Sequence, residues 1–593
     1  MLDTMNEITQ FSPYAGTLFL ETVPGDTSAK HEAENEAAAG AGKERTMYCY
    51  APVSGCPDFK QTQVLVVLRD GNDEASAKEV LRRLALDQLA EEKHVLLLLP
   101  NPTNGGWNYA ADPGKENDMD YLIRCFATLR GGRLGVNGFN GMTFYVADTP
   151  GASALLMTFA ALKPLNAPAV MLGAFPTGYT IPAGALHIET AAFSSNPTAT
   201  AYFAAANGAD LAHGQTKDGV TTFLGKNSNV RLLTTQAEGP FDATALRIAW
   251  DRLFSETRRW QNDTYGTYQK RTNFTQRGFT AHVNDTCLGC NDGRPQTWYE
   301  YVPPQLRGTG EKVPLLFYFH GGSCVPLYGA EQSDWHNIAD RENFIVVYPK
   351  ASYNKMWNVW NDASNPSDEE FLLRLIAHMK TVHPIDEGRI YLSGFSMGAM
   401  MSNAMAAAHP ELFAAAAPCN AYHEGYLNTY ANMMRRWKSG AVMDMATRQF
   451  DEDEAPSPVK LEADAKKAAQ DYRMPVLQTI GLLDGTWPIT DPADKRLDTF
   501  DYWKAYNNIA TSPFCSNNHY ESGLVADENF YDGRDKRFLR HRWHSKDAGS
   551  PVLYELLFAK RMPHAVDLRT FEFAWAFLKK FSRSADGSLQ IGG

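Results

Sequence analysis

Two stretches of the chain describe the same local device. YVADTPGASALLMTFAALKP (145–164) and YLSGFSMGAMMSNAMAAAHP (391–410) each give an apolar strand, a sharp turn on small residues and a helix ending before proline. Other segments pair in the same order. TMYCYAP (46–52) matches TWYEYVP (297–303), QVLVVLRDGND (63–73) matches VPLLFYFHGGS (313–323), and HVLLLLPNPTNGGWN (94–108) matches FIVVYPKASYNKMWN (344–358). DYLIRCFATLR (120–130) then pairs with EFLLRLIAHMK (370–380), and IAWDRLF (248–254) with FAWAFLKKF (573–581). The spacing between partners is nearly constant from Tyr48/Tyr299 to Trp107/Trp357 and longer at Trp250/Trp575. Shared order with a late insertion indicates a duplicated fold.

Continuous apolar runs such as QVLVVL are buried-strand sequences, and apolar residues at helical spacing follow them. Strands alternating with helices predict a mostly parallel sheet flanked by helices in each half. The expected organisation is two tandem α/β domains, 1–265 and 266–593, with 261–276 as linker and 26–45 as an exposed loop. The second domain carries insertions at about 421–470 and 489–545. In the first of these, Tyr426, Tyr430, Met433 and Trp437 fall at helical spacing. That apolar face either packs on its own domain or forms a lid bordering a pocket. Tyr426, Trp437 and Trp487 are the candidate substrate-binding residues. In the second, Arg540, Arg542 and His544 alternate along a strand, and a salt-bridged face is favoured over a site for a carboxylate.

A net charge of −12 argues against nucleic acid or an anionic membrane surface as partner. No stretch approaches a membrane span. MLDTMNEITQFSPYAGTLFL has no basic start followed by an apolar run, so a cytoplasmic location is expected. Cys287 and Cys290 form a CxxC with no second ligand pair nearby, and reduced thiols are favoured over zinc. No metal and no cofactor are expected.

The chemistry concentrates in the second half. Gly394-Phe395-Ser396-Met397-Gly398 lies between a strand and a helix, where small residues permit a tight turn that lifts Ser396 to the sheet's rim. A serine needs a base and an orienting acid. Asp484 follows the apolar run MPVLQTIGLLDG, and His564 follows PVLYELLFAKRMP. Both therefore leave the same carboxyl edge of the sheet, in the order Ser, Asp, His. His544 is the reserve base. The oxyanion donors are expected to be the Met397 N–H and an N–H of the HGGSC turn, Gly322 or Ser323, with His320 bracing that turn.

With these motifs in place, the second half resembles the poly(3-hydroxyalkanoate) depolymerase and feruloyl/acetyl-xylan esterase group of α/β-hydrolases. The carrying stretches are FHGGSC, SDWHNIADRENFIVVYP, MWNVWND, IDEGRIYLSGFSMGAMMSNAMAAAHPELFAA, GLLDGTWP, DYWKAYN and MPHAVDLRTFEFAWAFLKKFSRSADG. The resemblance implies Ser396 as nucleophile, Asp484 as acid and His564 as base, and hydrolysis of carboxylic esters without metal or cofactor. It departs at HGG, where many secreted members have HGC, and at MPHAVD, where they have Gly-His-x-Trp-Pro.

The first half fails at each of these positions. Aligning the small residues puts Thr149 at the nucleophile and Pro150, which has no N–H, at the oxyanion donor; a gapless alignment puts Pro150 at the nucleophile. HIETAAFSSNPTA (187–199) offers no clear carboxylate, and Gly239 falls opposite His564. The first domain is thus a degenerate copy, expected to serve as scaffold or self-association surface rather than to bind a ligand.

The expected function is a serine esterase for small aromatic-acid or short hydroxyacyl/acyl esters. The alternatives are a prolyl-oligopeptidase-like peptidase and a non-catalytic binding protein.

Overall fold

The long apolar runs become the centres of two sheets. The computed structural model describes residues 7–25, 42–57, 60–109, 118–136, 138–147, 149–237, 239–359, 364–421, 472–484, 502–504, 506–510, 524, 526–549 and 551–592. The chain divides into two units, Met1–Asn273 and Phe274–Gly593.

In the first unit the strands are β1 (Leu18–Val23), β2 (Arg45–Tyr50), β3 (Gln63–Leu68), β4 (Val95–Pro100), β5 (Thr143–Ala147), β6 (Ala169–Leu172), β7 (Ala191–Ser194), β8 (Gln215–Lys217), β9 (Val220–Leu224) and β10 (Arg231–Thr235). They make a 10-stranded sheet in the order β8-β9-β10-β7-β6-β5-β3-β4-β2-β1. The pairs from β4 through β10 are parallel, and the outer pairs are antiparallel. Every residue of β3, β4 and β5 is buried, as a sheet covered on both faces requires.

The second unit repeats this plan strand for strand. Its strands are β11 (Thr280–Asp285), β12 (Gln296–Tyr301), β13 (Val313–Phe319), β14 (Ile345–Pro349), β15 (Ile385–Phe395), β16 (Ala415–Cys419), β17 (Val476–Gly481), β18 (Glu528–Asp532), β19 (Phe538–His544) and β20 (Val552–Ala559). The order is β18-β19-β20-β17-β16-β15-β13-β14-β12-β11, with the same pattern of parallel and antiparallel pairs. Three helices that position the site also correspond. They are α1 (Asp118–Gly131), α2 (Pro150–Leu162) and α3 (Ala243–Arg252) in the first unit, and α4 (Asp368–Val382), α5 (Met397–Ala408) and α6 (Leu568–Leu578) in the second.

The correspondence reaches single hydrogen bonds. The Asn108 N–H donates to the Asp118 carboxylate at 2.6 Å, and the Asn358 N–H donates to that of Asp368 at 2.6 Å. Trp107 and Trp357 are both buried in their own cores. Their indole N–H groups donate to the carbonyls of Arg69 and His320, just past β3 and β13. Aligned strands that end in the same loop bonds leave little room for a chance likeness.

Two sequence expectations need correction. The stretch 261–276 is only partly a connection. Thr267–Lys270 pairs with Thr257–Trp260 as a hairpin of the first unit, because the buried Arg258 and Arg259 between them donate to Gln61, Pro164 and Glu189 of that unit. The insertion placed at 489–545 is also too long. Its end, the β18–β19 hairpin, has a counterpart in β8–β9 of the first unit. Among matched strands, the second unit's extra length lies between β16 and β17 and between β17 and β18. Residues 422–471 and 485–501, with Tyr426, Tyr430, Met433, Trp437 and Trp487, lie outside the described residues.

On β19, the alternating polar face is a salt-bridged ladder. Arg540 and Arg542 both hold the buried Glu555 of β20, and Arg542 and His544 reach Glu528 of β18. These arginines are committed to internal carboxylates and are not a free site for a substrate's.

Candidate active site

The site begins with a strained bend. Strand β15 runs into Phe395, and Ser396 then adopts φ 55 and ψ −121 before helix α5 starts at Met397. A non-glycine residue held there costs about 1–3 kcal/mol, so its surroundings must fix it. They do so through backbone bonds. The Ser396 N–H donates to the Cys419 carbonyl at 2.9 Å, and the Ser396 carbonyl accepts from Ala399 and Met400. The flanking glycines are steric requirements: a Cβ on Gly394 would overlap the Gly398 carbonyl, and one on Gly398 the carbonyl of Phe319.

Strands β17 and β20 deliver the other two groups. Asp484 lies three residues past the end of β17, almost wholly buried, with its N–H on the Gly481 carbonyl. His564 follows β20, its ring tilted against that of Phe395 at 4.8 Å. The imidazole bridges the two side chains: Nδ1 is 2.8 Å from Asp484 Oδ2 and Nε2 is 2.9 Å from Ser396 Oγ. A carboxylate can only accept, so Nδ1 carries the proton, and Nε2 is left to accept from the serine hydroxyl. His544, the reserve base, is 2.8 Å from Glu528 in the β18–β19 ladder instead.

The HGGSC turn lies against this bend. A Cβ on Gly321 would stand 3.4 Å from the Cβ of Ser396, and one on Gly322 would stand 3.5 Å from Met397 Sδ. Met397 is the first residue of α5, where a helical N–H has no acceptor within its own helix. The expected donors separate here. The Ser323 N–H is committed to the Lys355 carbonyl at 3.0 Å, so Ser323 is withdrawn as an oxyanion donor. Gly322, which packs against the Met397 side chain, and Met397, next to Ser396 in the chain, remain.

His320 holds the turn from beneath. It is fully buried, and its Nε2 accepts from the Ala351 N–H at 3.1 Å. The proton must then sit on Nδ1, which donates to the Gly321 carbonyl at 2.7 Å. Burial pushes this imidazole down to about 4, in keeping with a neutral brace.

The same places in the first unit are filled differently. Thr149 is the N-cap of α2 and Pro150 its first residue, so the serine–amide pair is replaced by Thr149–Pro150. Ahead of this helix stands Asp70, just past β3. Its carboxylate accepts the N–H groups of Gly151 at 3.2 Å and Ala152 at 2.8 Å. The helix-start amides that could face an anion are taken by the chain's own carboxylate. Beyond β7, Asn196 caps the helix Pro197–Asn207 where an acid would stand. Gly239, at φ +93, precedes the α3 cap Asp242 by the three residues that separate His564 from the α6 cap Asp567.

Sequence reasoning overlooked Asn420. It is fully buried, at φ 55 just past β16, and is hydrogen-bonded to both the Asp484 and His564 segments. In the sequence it is an ordinary polar residue after a short apolar strand, so no pattern announces it.

The sheet order, the bend and the Ser–His–Asp arrangement define an α/β-hydrolase in the second unit. Residues 297–457 match the model of the esterase PHB depolymerase family. Among curated proteins, the chain is 36% identical over 120 residues to the bifunctional acetylxylan esterase/xylanase XynS20E of Neocallimastix patriciarum, covering 20% of this chain and 17% of that protein. It is 34% identical over 139 residues to poly(3-hydroxyalkanoate) depolymerase C of Paucimonas lemoignei, covering 22% and 32%. It is 32% identical over 136 residues to feruloyl esterase B of Talaromyces funiculosus, covering 22% and 36%. The chain therefore spans no more than about a third of these relatives' length. Among solved structures, the acetyl xylan esterase from Aspergillus awamori aligns over 50% of this chain and 99% of its own, at 17% identity and a TM-score of 0.33.

Among the described residues, no helix is long and apolar enough to cross a membrane.

Proposed function

We propose that the second unit is a serine carboxylic-ester hydrolase working through an acyl-enzyme. The observation that carries this is the His564 imidazole held between Ser396 Oγ and the buried Asp484 carboxylate. As Ser396 Oγ attacks the ester carbonyl carbon, His564 Nε2 takes the hydroxyl proton. Asp484 keeps the ring in the tautomer that can accept and stabilises the imidazolium. The carbonyl oxygen, now anionic, lies between the N–H groups of Met397 and Gly322. Collapse of the tetrahedral adduct breaks the ester C–O bond, and the alcohol leaves with the proton from Nε2. A water molecule then gives a proton to Nε2 and attacks the acyl carbon; the acyl C–Oγ bond breaks, Ser396 Oγ takes the proton back from Nε2, and the carboxylic acid is released.

Small aromatic-acid or short hydroxyacyl and acyl esters are the proposed substrates. The names of the relatives support this range, since they hydrolyse acetylxylan, feruloyl and poly(3-hydroxyalkanoate) esters. The first unit is proposed as a non-catalytic scaffold and as the surface for self-association. The cytoplasm is the proposed compartment, which suits the buried thiols of Cys49, Cys56, Cys125 and Cys419.

The test is a fluorophosphonate label followed by p-nitrophenyl esters of increasing chain length and methyl ferulate. A covalent adduct on Ser396 and hydrolysis that Ser396→Ala abolishes are expected. Hydrolysis that persists in Ser396→Ala overturns the assignment.

A further inference from the structure

The three groups of the site sit on three separate segments, and one dipeptide touches all of them. Cys419, the last residue of β16, accepts the Ser396 N–H at 2.9 Å. The next residue, Asn420, uses both ends of its side-chain amide. Its Oδ1 accepts the Gly481 N–H at 2.8 Å, three residues before Asp484, and its Nδ2 donates to the carbonyl of Ala565, adjacent to His564. The Asn420 N–H also donates to the Thr479 carbonyl at 2.8 Å, which fixes the side chain's root.

We infer that Asn420 is a positioning residue that holds the His564 loop in register with the Asp484 strand end, so that the imidazole reaches both of its partners. This rests on the esterase mechanism proposed above.

Three observations support the inference. First, the side chain has no contact with solvent, so both amide bonds stand in a water-poor setting where losing either leaves a buried group unpaired. Second, the residue holds φ 55, an uncommon conformation for a non-glycine and one that asparagine tolerates better than most. Third, the duplicated fold supplies an internal comparison. In the first unit, the chain leaving the matching strand β6 reads Gly173–Ala174–Phe175, with no side-chain amide, yet the same sheet forms. The architecture therefore does not need the bridge. It is present in the unit that carries the Ser–His–Asp arrangement.

Ala565 follows His564 directly, so a shift of its carbonyl moves the imidazole. A displacement of about 1 Å in a reacting group costs on the order of 10²-fold in rate.

The experiment uses the full chain with Asn420→Ala and Asn420→Asp. The first removes both bonds. The second keeps the acceptor for Gly481 and replaces the donor to Ala565 with an oxygen. With p-nitrophenyl acetate, both variants are expected to lose about 10²-fold in kcat while KM stays within about three-fold. The acid limb of the kcat/KM profile should move, and fluorophosphonate labelling of Ser396 should slow in the same proportion. Cooperative melting should be retained. Parent-like kcat and pH profile in either folded variant overturn the inference. So does failure of both variants to fold, which would make Asn420 a residue of the fold. If Ser396→Ala stays active, the mechanism itself falls; if Ser396→Ala is inactive and Asn420→Ala is normal, only the positioning role falls.

Discussion

His564 Nε2 stands 2.9 Å from Ser396 Oγ across 168 positions of chain, and the same ring's Nδ1 is 2.8 Å from Asp484. A base that is also oriented by an acid acts as one unit with its nucleophile, so losses at the three positions should not add. Ser396→Ala and His564→Ala are each expected to reduce kcat by about 10⁴-fold or more, and the double variant by little beyond either. Asp484→Asn should cost about 10⁴-fold, because an amide can donate to Nδ1 and favour the wrong tautomer. Steady-state kinetics of the four variants on one p-nitrophenyl ester check this.

The oxyanion assignment turns on which N–H is spoken for. The Ser323 N–H already serves the Lys355 carbonyl, whereas Gly322 lies beside Met397. Gly322→Pro deletes an N–H and should lower kcat by about 10²–10³-fold with KM little changed. Ser323→Ala keeps its backbone N–H and loses only the hydroxyl, so kcat near that of the parent is expected. A folded Gly322→Pro with parent-like kcat would overturn the assignment of Gly322.

Acid should loosen the turn beneath the site. Burial, with Lys350 and Lys355 adding to it, pushes His320 from its ordinary 6.5 to about 4, against the opposing bond to Gly321. The unfolded chain then binds this proton more tightly than the folded one. The stabilising contribution is fully present above about pH 6.5 and is lost as pH falls toward 4, amounting to about 3 kcal/mol over that window. Urea unfolding at pH 7 and pH 4.5 should show His320→Gln losing less stability over the interval than the parent does.

In the first unit, Asp70 caps the amides of Gly151 and Ala152. Asp70→Ala should free both, destabilising the start of α2 by up to about 1 kcal/mol. Faster hydrogen exchange at those two amides, with ester hydrolysis unchanged, is the expected result. Hydrolysis that falls in step with the exchange would give the first unit a part in catalysis.

Much of this protein was legible along the chain. The paired segments, such as QVLVVL with VPLLFYF, predicted two sheets, because a strand buried on both faces must be apolar throughout and that demand is local. The order Ser396, Asp484, His564 was legible for the same reason: each follows an apolar run, and a residue just past a strand can only emerge at that strand's end. Three features were decided by tertiary structure alone. Sequence left Gly322 and Ser323 equivalent, and the Lys355 carbonyl separated them. Asn420 joins segments that are remote in sequence, and no periodicity records a bond to a distant backbone group. Asp70 reads as a turn residue until helix α2 turns its first amides toward it. Pattern in a chain reports which surfaces must be buried; which donor meets which acceptor is settled only when the folded backbone brings them within 3 Å or so of each other.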